Sequence, residues 1–529
     1  MHLEGLIDDI GGFGLYQRLL IPTMAYSKAI VVPTMLMMSF AGVEPDWWCA
    51  SGEDELNQWN MTQVNGSYKN CFWNGTCQRM FSDVMDTAVS EWDLVCEMSW
   101  VGNATISIQM AGLLLGAIIS GYCADKYGRK KVLYGGVFVL FLGNVVSAFS
   151  VSWIMFTAVR AFLGMGCGLI LATVYLYQIE FVGKKWRGFV ASLPDWASGM
   201  VVLSLLAKWL HNWKWLHLAT AALTFPYLFT WFVVPESLRW LSVKGRLEEA
   251  KSVINKMAAW NKKPIPDTSI LELIAKEEKA EGEKAKNYSY LDLMRTTKLS
   301  KKTFFSCFIW FSCSVVYYGI AFGLKNLSGD FYMNMLLMAL TELPVTPCII
   351  FITSFFGRRT GSVISFSLTA ALCFGLAISS RLAPADERGN YVNACAIAAK
   401  FAMMTGWLVV MTLTAEQFPT VIRNLACAAQ SAAARIGGIL AGQVLSLGGT
   451  ADLMLPFIAM GILVVLNVLA TIGLEETRGR ALEDTMIFAS KSDTDWNEHK
   501  SDNPGTALVS CAMEPCDTGK DESDEQTVK

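Results

Sequence analysis

The sequence predicts an all-helical protein that crosses a membrane twelve times and consists of two similar halves of six helices. Three observations support this: long apolar runs, basic residues in alternate connections, and motifs that recur roughly 230–240 residues apart. The composition agrees, with 53% apolar residues, a mean hydropathy of +0.37 and 17% charged residues, whereas soluble proteins carry about 25% charged residues. A hydrocarbon layer of about 30 Å requires runs of about 20 apolar residues, which a soluble core does not need.

The twelve apolar runs divide evenly between the halves. The first half contains runs near 21–43, 100–122, 132–150, 153–178, 189–210 and 215–234, and the second contains runs near 303–323, 332–356, 361–380, 391–414, 424–447 and 453–474. The acidic amino end lacks the pattern of a cleaved signal peptide, so we expect the first run to remain as a helix. The predicted regions are an amino-terminal segment 1–20, a first bundle 21–234 with an outer loop 44–99, a connection 235–302, a second bundle 303–474 and a tail 475–529.

Basic residues assign the sides of the membrane, because cytoplasmic connections are enriched in lysine and arginine. The basic connections contain Lys126, Arg129, Lys130 and Lys131, then Lys184, Lys185 and Arg187, and later Arg358 and Arg359. The loop 44–99 is acidic and has Lys69 and Arg79 as its basic residues, so we place it outside. An even number of spans then leaves both termini in the cytoplasm.

The outer loop also has sequence features that are typical of an extracellular segment. Glycosylation sequons occur at Asn60, Asn65 and Asn74. Four cysteines in an oxidising compartment suggest two disulfides with three possible pairings, and these are Cys49, Cys71, Cys77 and Cys96. We interpret the other cysteines as reduced. The acidic tail has the composition of a disordered segment, whereas the connection 235–302 contains amphipathic helical spacing.

Charged motifs recur at the predicted cytoplasmic ends of both halves, as in the parallel six-helix repeats of a major facilitator fold. The recurring charges are Asp125, Arg129, Glu180, Arg187, Glu236 and Arg239 in the first half, and Glu416, Arg423, Glu476 and Arg478 in the second. A network of these charges is a candidate lock for the outward-open state, since a few kcal/mol biases two states. The alternative is that they are ordinary positive-inside residues with no switching role. Ser354 stands where the second half lacks an acid like Asp125, which weakens a symmetric lock.

Several motifs resemble those of the organic cation, organic anion and carnitine transporters, a solute carrier family of the major facilitator superfamily. They are Gly12-Phe13-Gly14-Leu15-Tyr16-Gln17, Glu91-Trp92-Asp93-Leu94-Val95-Cys96, Asp125-Lys126-Tyr127-Gly128-Arg129-Lys130, Pro235-Glu236-Ser237-Leu238-Arg239-Trp240-Leu241, Glu416-Gln417-Phe418-Pro419-Thr420-Val421-Ile422-Arg423-Asn424 and Glu476-Thr477-Arg478-Gly479. The resemblance implies a polyspecific organic ion transporter of the plasma membrane that works by alternating access, with its substrate between the two halves.

Ionisable residues at membrane depth are costly, so each is a candidate for substrate binding. Arg435 lies well inside a predicted span and suits bidentate binding of an anionic group. The resemblance implies the same, because the family's cation transporters typically have Asp at this position, while its anion and carnitine transporters have Arg. The alternative is a permanent pair between Arg435 and an acid such as Glu342. Lys400 and Lys28 either face the cavity or have structural roles.

Aromatic residues of the seventh span are further candidates. Trp310 and Tyr317 are seven residues apart and share a helix face, and Tyr318 follows directly. Such a face can hold a quaternary ammonium group by cation–π attraction, although packing or lipid contact is the alternative. Arg435 together with this face suits a zwitterion such as carnitine. The competing hypothesis is a cation transporter in which Glu342 attracts the substrate.

Other functional classes lack support in the sequence. The four histidines have no metal-ligand spacing, and neither a phosphate-binding loop nor a nucleophile elbow occurs. We therefore expect no enzyme activity, no metal, no cofactor and no nucleic-acid partner. The expected partners are a small organic ion and the lipid bilayer. A coupled ion and the oligomeric state are not identifiable, and a non-transporting membrane receptor of the same fold is the alternative from another class.

Overall fold

The computed structural model is an assembly of helices with one small hairpin. It describes residues 3–50, 69, 71, 78–82, 85–191, 193–267, 269, 271–273, 290–323, 329–384, 386–447 and 454–478. The predicted sequons at Asn60, Asn65 and Asn74, together with Cys77 and the tail from residue 479, lie outside the described residues.

The first half begins with a short helix and continues through the helices of the first bundle. Its helices are α1 (Leu3–Asp9), α2 (Leu15–Leu36), α3 (Met38–Ala41), α4 (Ala88–Glu91), α5 (Trp100–Tyr127), α6 (Arg129–Ala148), α7 (Trp153–Ile179), α8 (Arg187–Ala191), α9 (Asp195–Leu210) and α10 (Trp213–Phe229). Strands β1 (Trp47–Ala50) and β2 (Gln78–Phe81) pair antiparallel, with Trp47 opposite Phe81. We call the end of the bundle that carries this pair the hairpin end.

The connection and the second half repeat the pattern. They contain α11 (Leu238–Val243), α12 (Leu247–Trp260), α13 (Thr297–Gly323), α14 (Phe331–Leu340), α15 (Val345–Phe356), α16 (Arg358–Leu382), α17 (Arg388–Glu416), α18 (Thr420–Ser446) and α19 (Met454–Ile472). The predicted amphipathic helix of the connection is confirmed as α12, which buries Ala250, Ile254 and Met257.

Nine helices of the described residues are long and apolar enough to cross a membrane. The other three predicted spans contain shorter helices: α8 and α9 in 189–210, α10 in 215–234, and α14 and α15 in 332–356. The helical structure is therefore interrupted within the predicted spans 189–210 and 332–356. Proline lacks a backbone N–H and breaks a helix, and the interruptions end at Pro194 and Pro344. The first helix also begins at Leu15 rather than near residue 21.

Glycines allow α5 and α7 to pack closely. A Cβ atom on Gly112 would lie 2.1 Å from the carbonyl oxygen of Ala161, and one on Gly164 would lie 2.0 Å from that of Gln109. Small residues spaced in this way let helix backbones approach each other in membranes, where packing replaces hydrophobic burial as the driving force. This contact fixes the position of α7 in the first half.

The two halves meet at the hairpin end. The ring of Phe40 lies 4.9 Å from that of Phe331, measured between centroids. Ser107 Oγ donates a hydrogen bond to the Ile439 carbonyl at 2.7 Å, and Asn103 Nδ2 donates to Ser446 Oγ at 2.8 Å. The hairpin end is therefore closed by neutral hydrogen bonds and aromatic contacts between the halves.

The cysteines of the outer loop form disulfides. Cys71 and Cys96 are joined, with their Cα atoms 5.6 Å apart, and Cys49 is also disulfide-bonded. The described cysteines of the helices, such as Cys167 and Cys313, are free. This agrees with oxidised cysteines in the loop and reduced cysteines in the spans.

The glycine contact generates a stability prediction. Gly112→Ala should lower the free energy of unfolding by about 1–3 kcal/mol, because the added methyl group overpacks the α5–α7 contact. Gly121→Ala, on the same helix, is the matched control, since a Cβ atom there meets nothing within 4 Å. Thermal unfolding in detergent should show a clear drop for Gly112→Ala alone, and equal melting temperatures for the two variants would contradict this packing.

Candidate functional site

An ion pair lies at the middle depth of the second half. Glu342 stands in the interruption between α14 and α15, and Lys400 lies near the centre of α17. Lys400 Nζ is 3.0 Å from Glu342 Oε1, and the two side chains are 0% and 2% exposed. Removing one partner of such a buried pair is strongly destabilising because it leaves an uncompensated charge.

Two aromatic side chains extend this pair to the first half. Tyr317 of α13 donates its hydroxyl hydrogen to Glu342 Oε1 at 2.7 Å. The indole Nε1 of Trp196, on α9, donates to the same tyrosine oxygen at 2.8 Å. Lys400 Nζ also lies 5.4 Å from the centroid of the Tyr317 ring, within the range of a cation–π contact. A continuous polar chain thus crosses the boundary between the halves.

A second ion pair lies within the first half. Lys28 Nζ of α2 is 2.9 Å from Asp195 Oδ2, and the side chains are 16% and 12% exposed. Asp195 begins α9 directly after the proline interruption, next to Trp196. Lys28 also lies 5.8 Å from the centroid of the Tyr175 ring. This pair is therefore more accessible than the pair of Lys400 and Glu342.

Arg435 differs from both lysines. It is half-buried on α18, and its Nε is buried without a hydrogen-bond partner in the described part of the chain. One turn further along α18, a Cβ atom on Gly438 would lie 3.5 Å from the ring of Tyr318 on α13. Because Glu342 is paired with Lys400, Arg435 does not form the permanent pair with Glu342 that was the alternative interpretation.

The predicted aromatic face is divided between different contacts. Trp310 donates its indole hydrogen to Thr414 Oγ1 at 3.0 Å, so it joins α13 to α17 within the second half. Tyr317 lies 5.3 Å from Tyr318 and 5.5 Å from Trp407, between ring centroids. The aromatic cluster at the polar chain is thus Tyr317, Tyr318, Trp196 and Trp407, rather than the pair of Trp310 and Tyr317.

The recurring motifs have the same geometry in both halves. They lie at the end of the bundle opposite the hairpin, which we call the motif end. In the first half, Glu236 Oε1 accepts a hydrogen bond from the backbone N–H of Lys130 at 3.1 Å, beside Gly128 with φ +105°. In the second, Glu476 accepts from the backbone N–H groups of Arg358 and Arg359 at 3.1 and 2.9 Å, beside Gly357 with φ +83°. Each carboxylate therefore lies at the amino end of a helix, where the macrodipole favours negative charge.

These contacts act on the Glu476 carboxyl in opposite directions. Partial burial raises its pKa, but hydrogen bonds from the backbone of Arg478, Arg358, Arg359 and Thr477 outweigh burial and leave the pKa below its ordinary value. The carboxylate therefore stays ionised and holds the start of α16 in place.

Ion pairs complete the repeat within each half. Arg129 lies 3.5 Å from Asp125 and 3.6 Å from Glu180, and Arg358 lies 3.0 Å from Glu416. Arg423 donates to the backbone carbonyls of Ala415 and Phe418 at 3.1 and 3.2 Å. Each of these contacts joins residues of one half and therefore stabilises that bundle. The remaining predicted members lie nearby in the chain: Arg187 begins α8, Arg239 lies in α11, and Arg478 donates to the Phe355 carbonyl.

Sequence reasoning missed three polar residues. Asp195 and Trp196 connect the two ion pairs, and Arg160 lies fully buried in α7 with 0% exposure. Asp195 and Arg160 both fall inside predicted spans. The rule that made Arg435 a candidate, the cost of an ionisable group at membrane depth, therefore applied equally to them.

The chain is similar to known membrane transporters over most of its length. Residues 63–487 match the family model "Sugar (and other) transporter". The human "Organic cation/carnitine transporter 2" is 32% identical over 410 residues, which cover 76% of this chain and 71% of that protein. The chain belongs to the organic cation, organic anion and carnitine transporter family of the major facilitator superfamily.

Other relatives cover nearly the whole chain. The Drosophila melanogaster "Organic cation transporter protein" is 28% identical, covering 92% of this chain and 94% of that protein. The mouse "Solute carrier family 22 member 7" is 27% identical and covers 96% of this chain and 100% of that protein. The protein is thus a membrane transporter of small organic substrates, and its relatives are not enzymes.

The fold agrees with solved structures. The inward open conformation of the xylose transporter XylE from E. coli has a TM-score of 0.60 and 18% identity, and the match covers 89% of this chain and 98% of that structure. This likeness identifies the major facilitator fold in both halves.

The hydrogen bond from Trp196 to Tyr317 joins the halves, so substitutions of these two residues should have coupled effects on stability. Trp196→Phe should lower the free energy of unfolding by about 1 kcal/mol, as expected for a buried hydrogen bond. Tyr317→Phe should lower it further, because it also removes the hydrogen bond to Glu342. Their effects should be non-additive, because both remove the same bond. A double-mutant cycle in detergent measures this, with Trp310→Phe as the matched control whose effect should add to that of Trp196→Phe. Full additivity of the first pair would show that the bond is absent.

Proposed function

We propose that this transporter favours organic anions and zwitterions, with Arg435 binding a carboxylate or a related group of the substrate. The observation that carries the proposal is that Arg435 has no ion-pair partner among the described residues, while Glu342 is paired with Lys400. An arginine at membrane depth binds carboxylates strongly because its charge-assisted, bidentate hydrogen bonds form in a medium of low dielectric constant.

The balance of charge at this depth supports the same preference. In the described residues, the charged side chains of the two ion pairs and of the predicted substrate site are the basic Lys28, Lys400 and Arg435 and the acidic Asp195 and Glu342. Both acids are paired with lysines, so the uncompensated charge is positive. A site of positive potential attracts anions and repels cations.

The aromatic cluster supports binding of zwitterions. Tyr317, Tyr318, Trp196 and Trp407 lie on the three helices α9, α13 and α17 around the polar chain. A trimethylammonium group can dock against such rings while its carboxylate reaches Arg435. Carnitine-like betaines have both groups, and the name of the human relative includes carnitine.

Transport in this proposal follows alternating access. The halves would rock about the polar chain, opening the hairpin end, which is the predicted extracellular side, while the motif end closes. Both termini would be cytoplasmic and the membrane would be the plasma membrane. Nothing in the sequence names a coupled ion or selects exchange over uniport.

Cation transport is the second candidate function. The names of several relatives contain "organic cation", and Glu342 is the acid that would attract a cation. Its Oε1 atom is paired with both Lys400 and Tyr317, which argues against this role because the lysine charge offsets the attraction for a cation.

The experiment compares three substrates in transfected cells: a quaternary cation, a betaine and a hydrophobic carboxylate. Arg435→Gln should raise the KM for the carboxylate at least tenfold, because a hydrogen bond to a charged group contributes about 1.5–3 kcal/mol. Arg435→Lys should retain part of the affinity, since it keeps the charge and loses the bidentate geometry. Surface expression, measured by biotinylation, normalises every rate.

Arg295→Gln is the matched control, because Arg295 is exposed in the connection and its removal should leave all three uptakes unchanged. If Arg435→Gln spared carboxylate uptake while Glu342→Gln abolished cation uptake, the charge assignment would be reversed.

A further inference from the structure

A buried arginine in the first half takes no part in the site described above. Arg160 of α7 is 0% exposed. Its Nη2 donates a hydrogen bond to Gln109 Oε1 at 2.5 Å, while Nε and Nη1 have no hydrogen-bond partner among the described residues. The described part of the chain offers Arg160 no carboxylate within ion-pair distance, so its charge is uncompensated.

The Gln109 side chain fixes the position of Arg160. Its Nε2 donates to the Met35 carbonyl of α2 at 3.2 Å, and its Oε1 therefore faces α7. A neutral amide satisfies one guanidinium N–H group without reducing the positive charge, whereas a carboxylate in the same place would cancel it. The residue at position 109 thus determines how much of the Arg160 charge the surroundings experience.

Arg160 and Arg435 lie on helices that pack against the same helix, α5. A Cβ atom on Gly164, one turn after Arg160 on α7, would lie 2.0 Å from the Gln109 carbonyl oxygen. A Cβ atom on Gly438 would lie 3.3 Å from the sulfur of Met110, the residue after Gln109. Gly438 is one turn after Arg435 on α18, so the same stretch of α5 contacts the helix that carries Arg160 and the helix that carries Arg435.

We propose that Arg160 is a second selectivity residue, whose uncompensated charge, preserved by the neutral Gln109, adds to that of Arg435 and favours anionic over cationic substrates. Arg160 acts through space as a positioning charge and does not contact the substrate, because its side chain is sealed from solvent. The Coulomb energy of two charges falls only as the inverse of their distance and is larger in a medium of low dielectric constant. The inference rests on the proposed function, since it concerns the selectivity of the same path.

The decisive variant is Gln109→Glu, which has the same shape and places a carboxylate against Arg160. It should raise the KM for the hydrophobic carboxylate about fivefold to tenfold and lower the KM for the quaternary cation, with little change for a neutral substrate. Gln109→Leu is the matched control. It removes the hydrogen bond and keeps the arginine charge, so it should reduce surface expression and all uptakes together while the ratio of the two KM values stays constant.

Arg160→Gln removes the same charge by another route and should shift the ratio of KM values in the same direction as Gln109→Glu. If one of these two variants fails to reach the cell surface, the ratio of KM values in the other still tests the proposal. An equal shift of the ratio in Gln109→Leu and Gln109→Glu would reduce Arg160 to a structural role and overturn the proposal, as would an unchanged ratio in both charge variants.

The outcome also separates this inference from the proposed function. If Arg435→Gln weakens carboxylate uptake but Gln109→Glu leaves the ratio unchanged, the proposed function stands and the role of Arg160 is overturned. If the wild type transports only cations and Gln109→Glu still lowers the KM for the cation, the proposed preference for anions is overturned. The effect of the Arg160 charge on substrate affinity is then supported.

Discussion

The ion pair of Lys400 and Glu342 is the interaction on which the middle of the protein depends. Both side chains are almost completely buried, and removing one partner of such a pair leaves an isolated charge at a cost of about 3–5 kcal/mol. Glu342 stands where helix α14 ends, because the interruption before Pro344 lets its carboxylate reach across to α17. A continuous helix would place that carboxylate differently, so the interruption and the ion pair require each other.

The same glycine turn and carboxylate contact occur in both halves at the motif end. Gly128 and Gly357 adopt positive φ, which only glycine does at little cost, and each allows a sharp turn between two spanning helices. Glu236 and Glu476 then accept hydrogen bonds from the N–H groups that begin the next helix. Such groups lack partners within the helix. The same contacts therefore stabilise the turn between the two helices in each half.

The sequence predicted the order and approximate positions of the apolar segments, because hydropathy and the distribution of lysine and arginine depend on local composition. It did not predict where α9 and α14 begin and end within their spans, since Pro194 and Pro344 break helices only in some contexts. It identified Arg435, Lys400, Lys28 and Glu342 as candidates from their position in apolar runs. Their partners depend on which helices are neighbours, which a single sequence does not specify. Asp195 and Arg160 were missed although the same rule covered them.

The distribution of strong and weak contacts suits a transporter that rocks. Each of the two ion pairs joins residues of the same half: the partly exposed pair of Lys28 with Asp195 in the first, and the buried pair of Lys400 with Glu342 in the second. Most of the hydrogen bonds between the halves have two neutral partners, such as Trp196 to Tyr317 and Ser107 to Ile439, and the charged Lys400 makes a weak contact at 3.5 Å with the sulfur of Met200. A neutral hydrogen bond contributes about 0.5–1.5 kcal/mol, much less than breaking a buried charge pair would cost. The halves can therefore separate at the hairpin end without exposing an unpaired charge to lipid, so the charges that define the path remain in place while the access to it changes.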